Sequence, residues 1–230
     1  MPTKKSPAVT PPPPPPATTQ ASQYPGAFGL FKPSSDAIRL AFVPLFLIFI
    51  ISVGIGMAIG FISGDNRDLA NNLSSIANFV VSLFTTPMIA FILLYAVRGT
   101  RKELRESFEY ALQNIIRFLV ANLLAGLAIL VGLVFFIIPG ILLAIKFSMT
   151  NYLLIDNPKM SGTEALSRSW GITTGHVGKV FGIIGVSLLM LLPTLTIVGI
   201  IATVILLVLY TAAIPVLYDY IIKNNKPAIK

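Results

Sequence analysis

"GLVFFIIPGILLAIKFSMTNYLLID", residues 132–156, decides how the chain is threaded, because this apolar run contains a Pro-Gly pair and a lysine. Residues 116–155 are apolar almost throughout, and a single α-helix of that length would be about 60 Å long. That length is about twice the thickness of the hydrocarbon layer of a membrane. We therefore predict two antiparallel helices joined by a tight hairpin at Pro139 and Gly140, where proline breaks a helix and glycine tolerates a turn.

The composition of the chain indicates a polytopic integral membrane protein. Of its 230 residues, 55% are hydrophobic and 11% are charged, whereas soluble domains carry about 25% charged residues. The mean hydropathy is +0.82. The net charge of +8 fits a membrane protein better than a nucleic-acid-binding protein, because the basic residues cluster at the ends of apolar runs. We expect no nucleic-acid partner.

The hydropathy pattern predicts an all-α fold in three parts. Residues 1–35 form a disordered, proline-rich cytoplasmic tail, 36–222 a six-helix membrane domain, and 223–230 a basic cytoplasmic tail. The spans are expected at about 37–63, 72–97, 116–138, 141–155, 178–195 and 197–222. The fourth is short for a full span, so we expect tilt, local thinning of the bilayer or a partly re-entrant path. The tail is a spacer in the simpler interpretation, or binds a cytoplasmic partner through its proline run.

The basic residues support six spans and a cytoplasmic location of both termini. In that topology all 17 Lys and Arg residues except Arg67 and Lys146 lie on the cytoplasmic side, as the positive-inside rule requires. A single kinked helix through 116–155 would instead place the basic segments on either side of it in opposite compartments. We therefore expect a multi-pass protein of a cell membrane.

Catalytic and metal-binding patterns are nearly absent from the sequence. There is no cysteine and a single histidine, His176, so we expect no metal site and no cofactor. Nucleophile-elbow and phosphate-loop motifs are also missing. The protein is expected not to be an enzyme.

Small residues recur four positions apart, a spacing that lets helices approach closely in lipid. The pairs are Gly56 with Gly60, Ala128 with Gly132, and Gly178 with Gly182. Packing within the six-helix bundle is the simpler interpretation. Self-association into a homo-oligomer through the Gly56–Gly60 face is the alternative, and it predicts that Gly60→Leu abolishes a dimer.

Two polar segments are expected on the cytoplasmic side. In 101–110 basic and acidic residues alternate, so attraction to anionic lipid of about 1 kcal/mol per basic residue is partly offset. We interpret this segment as a topology determinant rather than a lipid clamp. In 161–175, Ser161 and Glu164 form a capping box for a short helix. We expect that helix to be a connector on the membrane surface.

Lys146 lies inside an apolar run, where a lysine costs roughly 2.5–3.5 kcal/mol at the bilayer centre. Two interpretations stay open. It lies only about 9 Å of helix from the predicted hairpin, so its side chain can extend to the outer surface. Alternatively it anchors an anionic group. The acidic residues nearest to the spans, such as Asp156 and Asp219, lie at span ends, so a counter-ion for the lysine within the chain is hard to find. The uncharged candidates to share such a ligand site are Asn78, Asn122 and Asn151.

A pattern of about forty residues surrounds this lysine. It consists of Pro-Gly, a basic residue with aromatic-Ser, an acidic residue, Ala-Leu-x-x-Ser-Trp and a later glycine. The matching residues are Pro139, Gly140, Lys146, Phe147, Ser148, Asp156, Ala165, Leu166, Ser169, Trp170 and Gly175. The pattern resembles the signature of a largely uncharacterised bacterial integral membrane family, described as the membrane domain of glycerophosphoryl diester phosphodiesterase.

The resemblance implies a six-helix membrane domain in which the basic residue at 146 is a recurring feature, with lysine here where arginine is expected most often. It does not imply phosphodiesterase activity, because that activity needs a separate catalytic barrel of about 250 residues.

The leading expectation is a non-catalytic membrane protein that binds lipid or supports the membrane or envelope, with membrane lipids as partners. One alternative is a small transporter or permease-like component for an anionic or amphipathic solute, and another is an intramembrane enzyme acting on lipid headgroups. A two-sided, water-filled cavity around Lys146 would favour transport, and a lateral opening towards lipid would favour lipid binding. The enzyme would need an acid–base pair beside the headgroup.

Overall fold

The computed structural model describes residues 24–64, 66–190 and 197–224, with the backbone alone at 197–202 and 224. Within these ranges the chain is helical and has no strand. The helices are α1 Gly26–Gly29, α2 Phe31–Ser63, α3 Arg67–Val97, α4 Leu104–Phe135, α5 Ile137–Phe147, α6 Thr150–Asp156, α7 Gly162–Thr174, α8 Val177–Leu189, α9 Ile197–Tyr210 and α10 Ala213–Asn224. The predicted proline-rich tail up to residue 23, the end of the fifth predicted span at 191–195 and the basic tail from 225 onwards lie outside the described residues. The prediction of disorder up to residue 35 is wrong for the described part of that tail, because α1 and the start of α2 lie in it.

Five segments of the described chain are long and apolar enough to cross a membrane, namely Gly26–Ser63, Arg67–Val97, Leu104–Phe135, Ile137–Asp156 and Thr203–Lys223. A sixth results if α7 and α8, which are bent by 90° at the break between them, count as one span. Large apolar side chains on these helices are open to the surroundings, with Phe61 91% and Val134 76% exposed. Such surfaces are typical of proteins that contact lipid. The all-α, polytopic fold predicted from the sequence is confirmed.

Two of the predicted spans are each broken into two helices. The fourth is interrupted at Ser148 and Met149, between α5 and α6. The last is interrupted at Thr211 and Ala212, between α9 and α10. Pro215 explains the second break, because proline has no N–H to donate to the carbonyl four residues earlier, and its ring clashes with that carbonyl.

The hairpin between α4 and α5 turns at Phe136, three residues before the predicted position. Phe136 is extended, with φ −159° and ψ 140°, while Pro139 and Gly140 lie in the first turn of α5. Proline is tolerated there because the first N–H groups of a helix have no intrahelical partner. Gly140 serves close packing instead of turning: a Cβ at this position would lie 2.8 Å from the backbone nitrogen of Leu133 on α4.

The helix α7 is a packed element of the core, whereas the sequence predicted a connector on the membrane surface. It begins as expected, since the Ser161 Oγ accepts a hydrogen bond of 3.2 Å from the Glu164 N–H. However, Ala165, Ser169 and Thr173 are completely buried on one of its faces, which packs against α4, α5 and α6. Small side chains on this face let the helix approach its neighbours closely, and the hydropathy pattern alone did not reveal this face.

The glycine pairs predicted to pack the bundle do not make close contacts within the chain. A Cβ built at Gly56, Gly60 or Gly178 meets no atom within 4 Å, and at Gly182 the nearest atom is the Ala27 Cβ at 3.4 Å. The Gly56–Gly60 face is therefore open in the single chain, and self-association through it stays a prediction. Close contacts occur instead at Gly140, as described above, and at Gly132 and Gly162, where a Cβ would lie 3.0 Å from the Gly140 Cα and 2.8 Å from the Arg117 carbonyl oxygen, respectively.

We expect Gly162→Ala to lower the free energy of unfolding by about 1–3 kcal/mol, because its new methyl group meets backbone atoms of α4 that cannot move aside. The matched control is Gly60→Ala, which adds the same methyl group where nothing lies within 4 Å. That change should leave stability the same or raise it by up to about 1 kcal/mol. Thermal unfolding of both variants in detergent tests the pair, and equal stabilities would contradict the close packing of α7 on α4.

Candidate functional site

The break between α5 and α6 is stabilised by hydroxyl groups from α7. The last carbonyls of a helix have no partner within it, and the carbonyl of Lys146 lies in the final turn of α5. Ser169 Oγ donates to this carbonyl at 2.7 Å. Thr173 Oγ1 lies 2.9 Å from the same carbonyl and also contacts the Ser169 carbonyl, so its single O–H proton serves two acceptors. These two hydroxyls are one helical turn apart on α7. They fix α7 against the end of α5 and thereby position the lysine side chain.

The ammonium group of Lys146 lies against the carboxyl-terminal turn of α7. Its Nζ donates to Thr174 Oγ1 at 2.6 Å and is 5.1 Å from the ring centroid of Trp170. The Phe147 ring lies 6.0 Å from the Trp170 ring. The negative end of the α7 helix dipole and the π face of tryptophan both favour a cation here. Lys146 is half-buried, and Trp170 is 46% exposed.

No carboxylate of the described residues neutralises this ammonium group. The ion pairs in the described ranges involve Arg98, Lys102, Arg105 and Lys223, and none involves Lys146. An ammonium group has three N–H donors, and the one hydrogen bond that Lys146 makes in this part of the chain goes to an uncharged hydroxyl. The site thus offers a positive charge and spare donors at a half-exposed position.

The acidic residues at the span ends belong to a separate ionic network around Arg98. The Arg98 guanidinium bonds both carboxylate oxygens of Asp156, at 2.6 and 2.7 Å, and reaches Asp219 Oδ1 at 3.2 Å. Tyr218 donates to Asp156 at 2.8 Å, and Lys223 pairs with Asp219 at 2.6 Å. Burial by itself would lower the pKa of Arg98, but the hydrogen bonds and charge of Asp156, together with Asp219, raise it above its ordinary value. This network joins the ends of α3 and α6 to the middle of α10.

A second arginine, Arg117 of α4, binds backbone carbonyl groups. It donates to the carbonyls of Met160 at 2.8 Å, Asn157 at 2.7 Å and Leu154 at 3.2 Å, and to the side chain of Asn114 at 2.6 Å. These carbonyls lie at the end of α6 and in the loop before α7, where helical partners are missing. Arg117 therefore connects α4 to the end of α6 and to the loop that leads into α7.

The asparagines predicted to share a site with Lys146 are elsewhere or are not bonded to it. Asn78 is exposed, and Asn122 is an exposed residue that lines a cavity of about 230 Å³ between α3 and α4. Asn151 is half-buried, and its Oδ1 is buried without a hydrogen-bond partner in the described residues. No hydrogen bond in this part of the chain joins an asparagine to Lys146.

The motif residues divide into two groups in space. Phe147, Ser169 and Trp170 surround Lys146, as described above, and Ser148 Oγ donates to the Ile145 carbonyl at 2.8 Å in the same break. No hydrogen bond or aromatic contact in the described residues joins the others to the ammonium group. Asp156 belongs to the Arg98 network, Ala165 and Leu166 to the buried face of α7, and Gly175 ends α7 next to Thr174.

The sequence analysis missed Thr173 and Thr174, which complete the lysine site, and the structural roles of Arg98 and Arg117. The spacing of Ser169 and Thr173, four residues apart on one face of a helix, was a usable signal for a hydroxyl-bearing face. His176, the single histidine, lies within 3.1 Å of the Ile172 carbonyl through its Nδ1.

No protein-family model matches this chain, and no curated protein or solved structure matches it. The function is therefore argued from the geometry of the chain itself.

Proposed function

We propose that this chain is a non-catalytic, multi-pass protein of a bacterial cell membrane that binds anionic lipid at Lys146. The observation that carries the proposal is the ammonium group held between Thr174 Oγ1 and the Trp170 ring with no carboxylate partner in the described residues. A phosphate or carboxylate oxygen of a lipid headgroup supplies the missing negative charge. Tryptophan beside the lysine fits the membrane–water interface, where this residue is enriched.

The surroundings of Lys146 favour lipid binding over the two alternative functions. Trp170 is 46% exposed, so the lysine lies beside an exposed surface of the helix bundle rather than deep inside it. Transport would instead need an aqueous path with openings on two sides. The ammonium contacts the Thr174 hydroxyl and the Trp170 ring, and the Ser169 and Thr173 hydroxyls lie against the backbone carbonyl of Lys146. These groups do not form the acid–base pair that headgroup hydrolysis needs.

The proposed topology has both termini in the cytoplasm, which follows the positive-inside distribution of the basic residues. It requires a fifth span at 178–195, of which the described chain contains α8, Val177–Leu189. The described chain has five candidate spans, or six if α7 and α8 count as one. Homo-oligomerisation through the open Gly56–Gly60 face and a partner for the proline-rich tail belong to the same proposal.

Native mass spectrometry in mild detergent tests the lipid site. We expect wild-type protein to retain phosphatidylglycerol, and Lys146→Leu to retain about fivefold less or lower still, since one basic residue contributes about 1 kcal/mol of attraction. Lys146→Arg should retain the lipid because it keeps the positive charge.

The matched control is Lys159→Leu, which removes a positive charge from an exposed loop position and should leave lipid retention at the wild-type level. If Lys146→Leu and wild type carry the same lipids at equal stability, Lys146 is a lysine that only extends to the membrane surface, and the proposal fails.

A further inference from the structure

We infer that a second lipid site lies at the junction of α2, α3 and the start of α4, and that it binds one phospholipid with a zwitterionic, amine-bearing headgroup. The inference rests on the lipid-binding function proposed above but uses none of the residues around Lys146. It assigns one class of lipid ligand to two adjoining cavities, which we call the acyl groove and the headgroup pocket.

The acyl groove is an apolar cavity of about 640 Å³, within the usual size range of ligand pockets. Its walls come from three helices and include Ile48, Ile51 and Ile55 of α2, Val80 and Phe84 of α3, and Phe108 of α4. The hydroxyl of Ser52 also lines it, but that hydroxyl donates to the Ile48 carbonyl at 2.8 Å. The groove therefore suits a hydrocarbon chain.

The headgroup pocket adjoins one end of this groove. It also measures about 640 Å³, and it is lined by Val43, Pro44 and Leu47 of α2 and by residues 101–106. Leu104 and Arg105 line both cavities, so a molecule with an apolar tail and a polar head fits across them. This amphipathic shape points to a membrane lipid as the occupant.

The charges of the headgroup pocket select the type of lipid. Two of its cations are already neutralised, since Lys102 pairs with Glu106 at 2.7 Å and Arg105 pairs with Glu109 at 2.9 Å. What remains is the exposed pair Arg101 and Glu103, two positions apart in the link before α4, neither of which has an ion-pair partner in the described ranges.

One cation and one anion complement a headgroup that itself carries both charges. A guanidinium group binds phosphate oxygens through paired N–H donors, which assigns the phosphate to Arg101. The carboxylate of Glu103 then faces the headgroup amine. A headgroup with a phosphate and no amine would leave Glu103 without a partner and beside a like charge, so phosphatidylethanolamine should bind better than phosphatidylglycerol.

The test uses full-length Lys146→Leu protein, in which the anionic-lipid site proposed above is removed. After delipidation, the protein is mixed with equal amounts of phosphatidylethanolamine and phosphatidylglycerol in detergent, and native mass spectra give the ratio of the two bound lipids. We expect more phosphatidylethanolamine to be bound. Adding Glu103→Gln should lower the ratio about three- to fivefold, which is the size of one surface ion pair, and Arg101→Gln should weaken binding of both lipids.

A groove-filling pair of variants tests where the lipid lies. Ile51→Trp fills the acyl groove and should reduce bound phosphatidylethanolamine about fivefold or more. Ile62→Trp adds the same ring to α2 at a 69% exposed position outside the groove walls and should have no effect. The inference is overturned if Glu103→Gln leaves the ratio of the two bound lipids unchanged. It is also overturned if the two tryptophan variants retain equal amounts of phosphatidylethanolamine. Since Lys146 is absent from this protein, either result leaves the lipid site at Lys146 to be judged by its own experiment.

Discussion

Replacing Arg117 with methionine should lower the free energy of unfolding by about 2–4 kcal/mol. The guanidinium group donates to the carbonyls of Leu154, Asn157 and Met160, and methionine keeps the apolar stem but removes every donor. Each buried acceptor left without a partner costs about 1–3 kcal/mol. Arg117 is half-buried, so water can replace part of the lost hydrogen bonding and the total cost is smaller than the sum for three carbonyls. The loss should appear as a lower transition temperature in detergent.

The control for this prediction is Arg105→Met on the same helix. The side chain of Arg105 is 86% exposed and pairs with Glu109 four residues away, an interaction typically worth about 0.3–0.5 kcal/mol. We expect a change within that range. If both arginine variants lost the same stability, the position of α6 and of the loop before α7 would not depend on the carbonyl contacts of Arg117.

Arg117 also shows what the sequence analysis was able to predict and what it was not. Hydropathy located the apolar helices well: α2 ends at Ser63 and α3 at Val97, the positions predicted for the first two spans. This succeeds because the length of an apolar run reflects the thickness of the membrane. The same reasoning assigned Arg117 to topology, since a basic residue near a span end fits the positive-inside rule whether or not it binds carbonyl groups.

The breaks within spans and the polar contacts were not predictable in this way, because they depend on segments far apart in the sequence. The Lys146 ammonium meets a threonine 28 positions away, and Arg98 meets a carboxylate 121 positions away. The helix α7 has a mixed composition that favoured a surface location, yet its buried face is formed by small and hydroxyl-bearing residues. Its packing becomes clear only when α4, α5 and α6 are in place.

Lys146 differs from Arg98 and Arg117 in how few partners the described residues provide for its charge. Arg98 and Arg117 each make several hydrogen bonds within the fold, the first to two carboxylates and the second to three carbonyls and an amide. Lys146 has one hydroxyl and one aromatic face. A charge that costs free energy to place near lipid, with so few partners among the described residues, supports the proposal of a lipid ligand at Lys146.

Replacing Asp156 with asparagine should destabilise the protein by about 2–4 kcal/mol, because it removes the charge that faces both Arg98 and Tyr218. Breaking a buried ion pair costs about 3–5 kcal/mol. The side chains of Arg98 and Asp156 are 30% and 20% exposed, so we expect less than the full cost.

A double-mutant cycle with Arg98→Met, measured by unfolding in detergent, isolates the pair, and Glu109→Gln is the control because it removes a carboxylate from a surface pair. Coupling below about 0.5 kcal/mol, the level of a surface pair, would mean that the network does not hold the ends of α3 and α6 together. Coupling of about 1.5 kcal/mol or more, with little effect of Glu109→Gln, would establish Asp156 as the counter-ion of Arg98 and leave Lys146 without that carboxylate.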